Sequence, residues 1–358
     1  MFFEMPTTVY EEENCVLNHK SDLAALGTRA FIVTGKRSAE LCGALDDVKS
    51  ALESENISYA VFNEIEENPS VETIMKAKGR GLEEGCDFVI GIGGGSPLDA
   101  AKAIALMMKH ENEGEEYLYT KGNSDSLPIA AIPTTCGTGS EATPYSILTL
   151  HKKRTKASIS HRIFPRFALV DGKYLAAAPA HIVNNTAMDA LGHLFESYIN
   201  TNATDYSKML VTAGLGIFQR SREVLEGIRE ASYADFKNLM NASTIAGMAI
   251  SHTSTSIPHG LSYSLTYELG VPHGKAVGYF LAGYLKGADS EDRNYVLKGA
   301  GFSSIDDFEE FYVKSCGILT PERSVIENGI EKLLPNRAKL KNCPYEVTED
   351  VLKKIAGI

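Results

Sequence analysis

Tryptophan is absent from this 358-residue chain, cysteine occurs 6 times and histidine 9 times. The missing tryptophan excludes nothing. The cysteines (Cys15, Cys42, Cys86, Cys136, Cys316, Cys343) include no CxxC pair, which argues against a zinc-thiolate site or a disulfide framework. Reduced thiols in a cytoplasmic protein are expected instead. Positive charge is also short: 35 Lys and Arg face 46 Asp and Glu, a formal net charge of −11. Nucleic acid and anionic membrane are thereby excluded as main partners, since both need a basic surface. No apolar run approaches the roughly 20 residues that span a bilayer. The opening MFFEMPTTVYEEE has neither a basic flank nor a sustained apolar segment, so no signal peptide is expected.

What is present is the composition of a globular protein, 44% hydrophobic and 23% charged, long enough for two domains. The halves differ in pattern. From about residue 28 to 171, short apolar runs alternate with helical spacing. Residues 30–34, 58–62, 87–92, 127–132, 146–150 and 168–170 read as strands, with helices after Ser38, over 70–84 and over 97–109. Strand–helix alternation with continuously apolar strands predicts a parallel sheet covered by helices. After about Lys173 the strand signal fades. Apolar spacing of three to four residues over 179–200, 205–226, 234–252, 273–287, 305–316 and 348–356 predicts helices alone. The expectation is an α/β Rossmann-like domain over residues 1–172 and an all-α domain over 173–358.

Two loops follow strands in the first half. In GIGGGSPLDAAKAIA (91–105), glycines stand where a parallel strand gives way to a helix. There the backbone can approach a phosphate closely and free N–H groups point at it. Asp99, read as lying in the first turn, would suit the helix dipole and could accept from a cofactor hydroxyl. The spacing is neither GxGxxG nor a P-loop, and a tight turn that binds nothing is the bland alternative. IPTTCGTGSEATPYS (132–146) is dense in Thr134, Thr135, Thr138, Gly139 and Ser140, short donors that could wrap a phosphate or ribose. Either loop alone is weak. Two on one sheet favour a dinucleotide across the strand ends.

The second half carries candidate metal ligands. Asp189 and His193 are at i and i+4 on a helical segment, hence on one face. Such a pair is more often a satisfied helix contact. The triplet Pro-His-Gly then occurs twice, around His259 and His273, and its prolines and glycines also suit chain bends. One carboxylate and three imidazoles would suit a divalent transition metal, Fe2+ or Zn2+, with room for a substrate oxygen. His252, seven residues before His259, is an alternative that spacing leaves open.

GGGSPLDAAKAIA, IPTTCGTGSEATPYS, MDALGHLFESY and HGLSY…VPHGKA, in this order over about residues 90–280, resemble the iron-containing, or type III, alcohol dehydrogenases. The resemblance implies a Rossmann-like domain with a helical partner, a nicotinamide dinucleotide and one divalent metal. It implies Asp189, His193, His259 and His273 as ligands. It implies cofactor contacts from Gly94, Gly95, Ser96, Asp99, Thr134, Thr135, Thr138, Ser140, Asn68, Pro69 and Lys156. The implied activity is metal-assisted hydride transfer between NAD(P) and a small alcohol or aldehyde.

This chain departs from the family in places. Where many members have a further histidine four residues after the third ligand, Tyr263 stands here. A phenol is a poorer proton relay near neutrality than imidazole, so the proton route would run through Tyr263, a water or the cofactor ribose. Cys136 replaces a frequent alanine, with local effects on packing or redox sensitivity. At the position of Gly35 the NAD-preferring members carry a carboxylate for the ribose hydroxyls, and its loss beside Lys36, Arg37 and Ser38 suits a 2′-phosphate. NADP(H) is therefore expected over NAD(H). Glycerol dehydrogenase-like and dehydroquinate synthase-like enzymes are the rivals. The first lack a histidine where His193 stands, and the second need a basic substrate pocket that LSYSLTYELG does not supply. A sensor or storage module would have little use for both the ligand set and the cofactor loops. No segment specifies an oligomer, and a homodimer would be the commonest form.

Overall fold

The computed structural model describes residues 3–153 and 155–358. Chain contacts divide it into two units. One comprises Glu4–Thr135 and Gly139–Ala178; the other comprises Phe3, Cys136–Thr138 and Pro179–Ile358.

The first unit is built on strands β1 (Thr8–Glu11), β2 (Arg29–Gly35), β3 (Ser58–Ile65), β4 (Phe88–Gly93), β5 (Ile129–Pro133) and β8 (Phe167–Val170). They form one sheet in the order β1-β8-β5-β4-β2-β3, with every pairing parallel. β4 and β5 are buried at every position, so their apolar runs are continuous rather than alternating. Alternate residues of β2 serve two cores: Phe31 and Val33 pack on one face, Ala30 and Ile32 on the other. Helices α1 (Ala44–Ser54), α2 (Val71–Glu83) and α3 (Gly95–Lys109) connect the strands. The chain steps outward from β2 to β3 and then returns to place β4 on the other side of β2. The ends of β2 and β4 thus flank a topological switch point, where α/β sheets bind ligands. A small antiparallel pair, β6 (Ile147–Leu150) with β7 (Thr155–Ser158), lies beyond β5 in sequence.

The second unit is helical. Its longer helices are α4 (Ala180–Tyr198), α5 (Asp205–Phe218), α6 (Tyr233–Thr253), α7 (Ile257–Leu269), α8 (His273–Gly287), α9 (Ser290–Gly299), α10 (Ile305–Cys316), α11 (Arg323–Leu333) and α12 (Glu349–Ala356). No helix among the described residues is long and apolar enough to cross a membrane. The architecture is the expected one, a parallel sheet unit and an all-helical unit.

Several elements depart from the sequence expectation. β1, β7, α9 and α11 were not foreseen, being short or strongly polar. The larger surprise is α7. The first Pro-His-Gly lies within a helix, Ile257 and Pro258 being the first residues of α7, whereas in the second Pro272 stays outside α8 as its cap, ending the short connection from α7, and the helix opens at His273. Pro258 is tolerated in α7 because a first-turn N–H has no partner within its own helix.

Candidate functional site

Helix α4 is buried at every position from Ala187 to Tyr198. Its polar face is therefore buried as well: Asp189, His193 and Glu196, spaced i, i+4 and i+7, are at most 5% exposed. His259 enters from the first turn of α7 and is 2% exposed. Ligand atoms of Asp189, His193 and His259 all lie within 4.8 Å of one another. His273, in the first turn of α8, brings Nε2 to 3.6 Å from Asp189 Oδ1 and is partly exposed. Its ring meets that of His259 edge-on at 5.4 Å. Gly274 is what lets α8 come so near. A Cβ there would sit 1.7 Å from the carbonyl oxygen of Asn185 and 2.9 Å from the Asp189 nitrogen.

Two of the imidazoles are oriented from behind. His193 donates Nδ1–H to the Gly137 carbonyl at 3.2 Å. His259 donates Nδ1–H to Glu196 Oε2, and its backbone N–H donates to Glu196 Oε1 at 3.1 Å. In both rings Nε2 is the nitrogen these bonds leave unengaged, an arrangement in which outer hydrogen bonds fix the tautomer. Among the described residues, buried Asp189 Oδ1 and His259 Nε2 have no hydrogen-bond partner, although they stand 3.3 Å apart. Burying such atoms unpaired costs on the order of 1–3 kcal/mol each, and a cation between them would satisfy both. The donor set of one carboxylate and three imidazoles fits a divalent transition metal.

With no cation present, the carboxylates and imidazoles of the cluster titrate against one another. Burial pulls His193 down to about 4, and the stacked His259 ring 4.4 Å away adds to this, so His193 is neutral. Burial also acts to lower His259, but Glu196 and Asp189 outweigh it and hold the imidazole at about 9. Asp189 is held well below the usual carboxylate range; burial opposes this, and the three imidazoles prevail. His252 lies outside the cluster. Its Nδ1 bonds the Met248 carbonyl at 2.8 Å and its ring stacks on Phe3. Tyr263, half-buried on α7, stacks on His273 with centroids 6.0 Å apart and planes 10° apart.

In the sheet unit the glycine loop follows β4. Gly93 has φ +147°, a conformation that side chains avoid, and Gly94 precedes the first turn of α3. Because α3 begins at Gly95 rather than near Pro97, Asp99 falls in its second turn, not the first as expected. Its carboxylate is committed to the protein. Oδ1 accepts from Ser140 at 2.5 Å and Oδ2 from the Ile147 amide at 2.9 Å. Lys102, fully buried, donates to Ser140 Oγ at 2.7 Å and to the Tyr145 carbonyl at 2.7 Å. Burial lowers this ammonium to about 8, against the pull of Asp99 and Glu141. This network ties the segment after β5 to α3. Thr134 donates its amide to the Gly93 carbonyl at 2.9 Å, and Thr135 lies against Gly94.

Asn68, Ser96 and Lys156 come together. Ser96 Oγ accepts from the Asn68 amide at 3.0 Å, and Lys156 Nζ donates to Asn68 Oδ1 at 2.6 Å. The Pro69 carbonyl accepts from the Thr149 amide at 2.8 Å. Gly35 ends β2, and Lys36, Arg37 and Ser38 after it are exposed. A Cβ at Gly35 would meet only the Ile65 carbonyl, at 3.4 Å, so the fold itself does not demand glycine there. Thr138 belongs by its contacts to the helical unit, with Cys136 and Gly137. Cys136 is buried against Thr186, and burial raises its thiol to about 12; its consequence is packing rather than redox sensitivity.

Glu196 and Lys102 were missed by sequence reasoning. Glu196 could have been found, since it shares the helical face of Asp189 and His193. Lys102 could not, because a lysine among alanines on a helix reads as surface.

The profile described as "Iron-containing alcohol dehydrogenase" matches residues 6–172, and "Fe-containing alcohol dehydrogenase family, C-terminal" matches 183–295. A crystal structure of an iron-containing alcohol dehydrogenase from Thermotoga maritima is 36% identical, with TM-score 0.90, covering 100% of this chain and 99% of that one. The NADPH-dependent butanol dehydrogenase of Clostridium saccharobutylicum is 28% identical over 292 residues, 80% of this chain and 74% of that protein. Sulfoacetaldehyde reductase from Bifidobacterium kashiwanohense, crystallised with NAD+, is 25% identical with TM-score 0.88, covering 99% and 97%.

Proposed function

The chain belongs to the iron-containing alcohol dehydrogenase family, oxidoreductases that use a divalent metal and NAD(P), and from that premise we propose how its own residues serve the reaction. Asp189, His193, His259 and His273 hold the metal, Fe2+ in our reading, with Zn2+ suited by the same donors. The observation that carries this is the pair of buried atoms without a hydrogen-bond partner, Asp189 Oδ1 and His259 Nε2, 3.3 Å apart, with a ligand atom of His193 within 4.8 Å.

When bound, the cation supplies Lewis acidity toward a carbonyl or alkoxide oxygen, and the nicotinamide supplies or accepts hydride. The protein does the rest. Glu196 and Gly137 fix two imidazoles, and the buried α4 face keeps water from the carboxylate between them. Tyr263 is the candidate to hand a proton to the nascent alcohol from its phenolic oxygen, being the half-buried hydroxyl stacked on His273. The substrate is a small alcohol or aldehyde.

The cofactor, in this reading, is held by Gly94, Gly95 and Ser96 at the start of α3, by Asn68, Pro69 and Lys156 beside them, and by Thr134, Thr135 and Thr138. Asp99, Ser140 and Lys102 brace the segment after β5 from behind. NADP(H) is preferred over NAD(H), because Gly35 leaves no carboxylate to repel a 2′-phosphate while Lys36, Arg37 and Ser38 are exposed next to it. A homodimer in the cytoplasm completes this reading, the dimer on the ground that it is the commonest oligomer of soluble enzymes. The direct test is oxidation of NADPH and NADH with a panel of short aldehydes, on metal-free protein and after adding Fe2+ or Zn2+. Turnover that needs no metal would refute the metal assignment, and a kcat/KM favouring NADH tenfold or more would refute the cofactor preference.

A further inference from the structure

Glu196 carries no ligand atom toward the cluster, yet it is 0% exposed and forms two bonds to one residue. Oε1 accepts the backbone N–H of His259, and Oε2 accepts its Nδ1–H. His259 is the third residue of α7, so its amide is one of the helix N-terminal donors that have no partner within the helix. A single carboxylate from α4 thus caps α7 and orients the imidazole on it. Gly260 makes room for Leu333, whose Cδ1 would lie 2.8 Å from a Cβ there, with the stem of Lys339 alongside at ordinary contact distance. Lys339 donates Nζ–H to Thr255 Oγ1, just before α7, and places a positive charge that favours ionised Glu196.

We propose that Glu196 is a positioning residue of the metal centre, holding His259 by both bonds so that Nε2 alone is presented to the metal. This rests on the reading that Asp189, His193, His259 and His273 are the ligands. The chemistry is specific to a carboxylate. His259 offers Glu196 two donors, and a carboxylate has an acceptor oxygen for each. An amide has one acceptor and one donor, so Gln at 196 can satisfy only one of them. If it keeps the backbone N–H, its NH2 faces Nδ1 and drives the ring proton to Nε2, which blocks coordination. If it keeps Nδ1–H, the α7 amide is left unpaired and the helix start shifts. A role confined to capping would let Gln keep the backbone bond and leave the metal untouched.

The test is Glu196→Gln, with Co2+ as the probe, measured on the full chain. We expect a folded protein whose Kd for Co2+ is ten- to a hundredfold weaker, with an altered visible spectrum of the bound ion. A wild-type Kd and spectrum in the variant would overturn the inference. A wild-type protein that takes up no Co2+ would instead overturn the ligand assignment, and the inference with it. Should the variant not fold, the imidazole 15N resonances of the Zn2+-loaded wild type decide: protonated Nδ1 on His259 supports the inference, and coordinated Nδ1 overturns it.

Discussion

Gly274→Ala separates helix propensity from packing at the metal centre. By propensity alone, alanine in a helix is better than glycine by about 1 kcal/mol. The structure predicts the opposite sign. The new Cβ would lie 1.7 Å from the Asn185 carbonyl oxygen, where contacts under 3.0 Å are essentially never seen. Both partners are main chain, so no side chain can swing away, and α8 must retreat from α4 by about 1.3 Å. Overpacking costs about 1–3 kcal/mol, and with rigid main chain on both sides the cost here lies at the top of that range, which outweighs the propensity gain. We expect a net loss of about 2 kcal/mol, or roughly 4–8 °C in Tm. The same retreat moves His273 away from Asp189, now 3.6 Å apart, while ligand distances tolerate only about 0.2 Å. Metal content should therefore fall with stability. Thermal denaturation and metal analysis of the variant check both. Gly216→Ala is the control: it lies in α5 with nothing within 4 Å of the new Cβ, and should stabilise by about 0.5–1 kcal/mol. A Gly274→Ala protein with wild-type Tm and full metal content would refute the reasoning.

Four further outcomes are expected. Gly35→Asp, for which the backbone has room, should shift the kcat/KM ratio toward NADH by tenfold or more, read with both cofactors on one aldehyde. His259→Ala or His273→Ala should abolish metal-dependent turnover; full metal content with activity in either would remove it from the ligand set. Tyr263→Phe should lower kcat and alter its pH profile, and an unchanged profile would take the phenol out of the proton route. In the metal-free protein, His193 at about 4 takes up its proton only when unfolded between pH 6.5 and 4, so stability falls as pH drops through that range. His259 at about 9 does the reverse: its contribution is whole below pH 6.5 and is lost as pH rises to 9. Denaturant midpoints at pH 5, 6.5 and 8 should show His193→Gln flattening the acid side and His259→Gln the alkaline side.

Much of this molecule is legible in its sequence because the relevant signals are local. Continuous apolar runs such as FVIGIG specify buried parallel strands by their shortness, β-branched residues and bounding glycines, and glycines at the end of β4 mark the start of a helix. The i, i+4 spacing of Asp189 and His193 places them on one face wherever the helix packs. Other features depend on contacts that no spacing encodes. Whether His252 or His259 joins the cluster was open until the path of α7 was known, because the two stand seven residues apart on either side of a helix break. The Pro-His-Gly triplets suit bends and first helical turns alike, since proline and glycine favour both, and only the folded chain shows Pro258 inside α7 and Pro272 capping α8. That Asp99 bonds Ser140 and Ile147, some forty residues away in sequence, is likewise written in no local pattern. The bond from Glu196 to His259 spans sixty-three residues. Sequence alone determined the residue types, the helical faces and the strand ends. Which lone pairs face each other, and which are already taken, was decided by the tertiary structure, because hydrogen bonds and metal ligation act over a few ångströms in space whatever the distance along the chain.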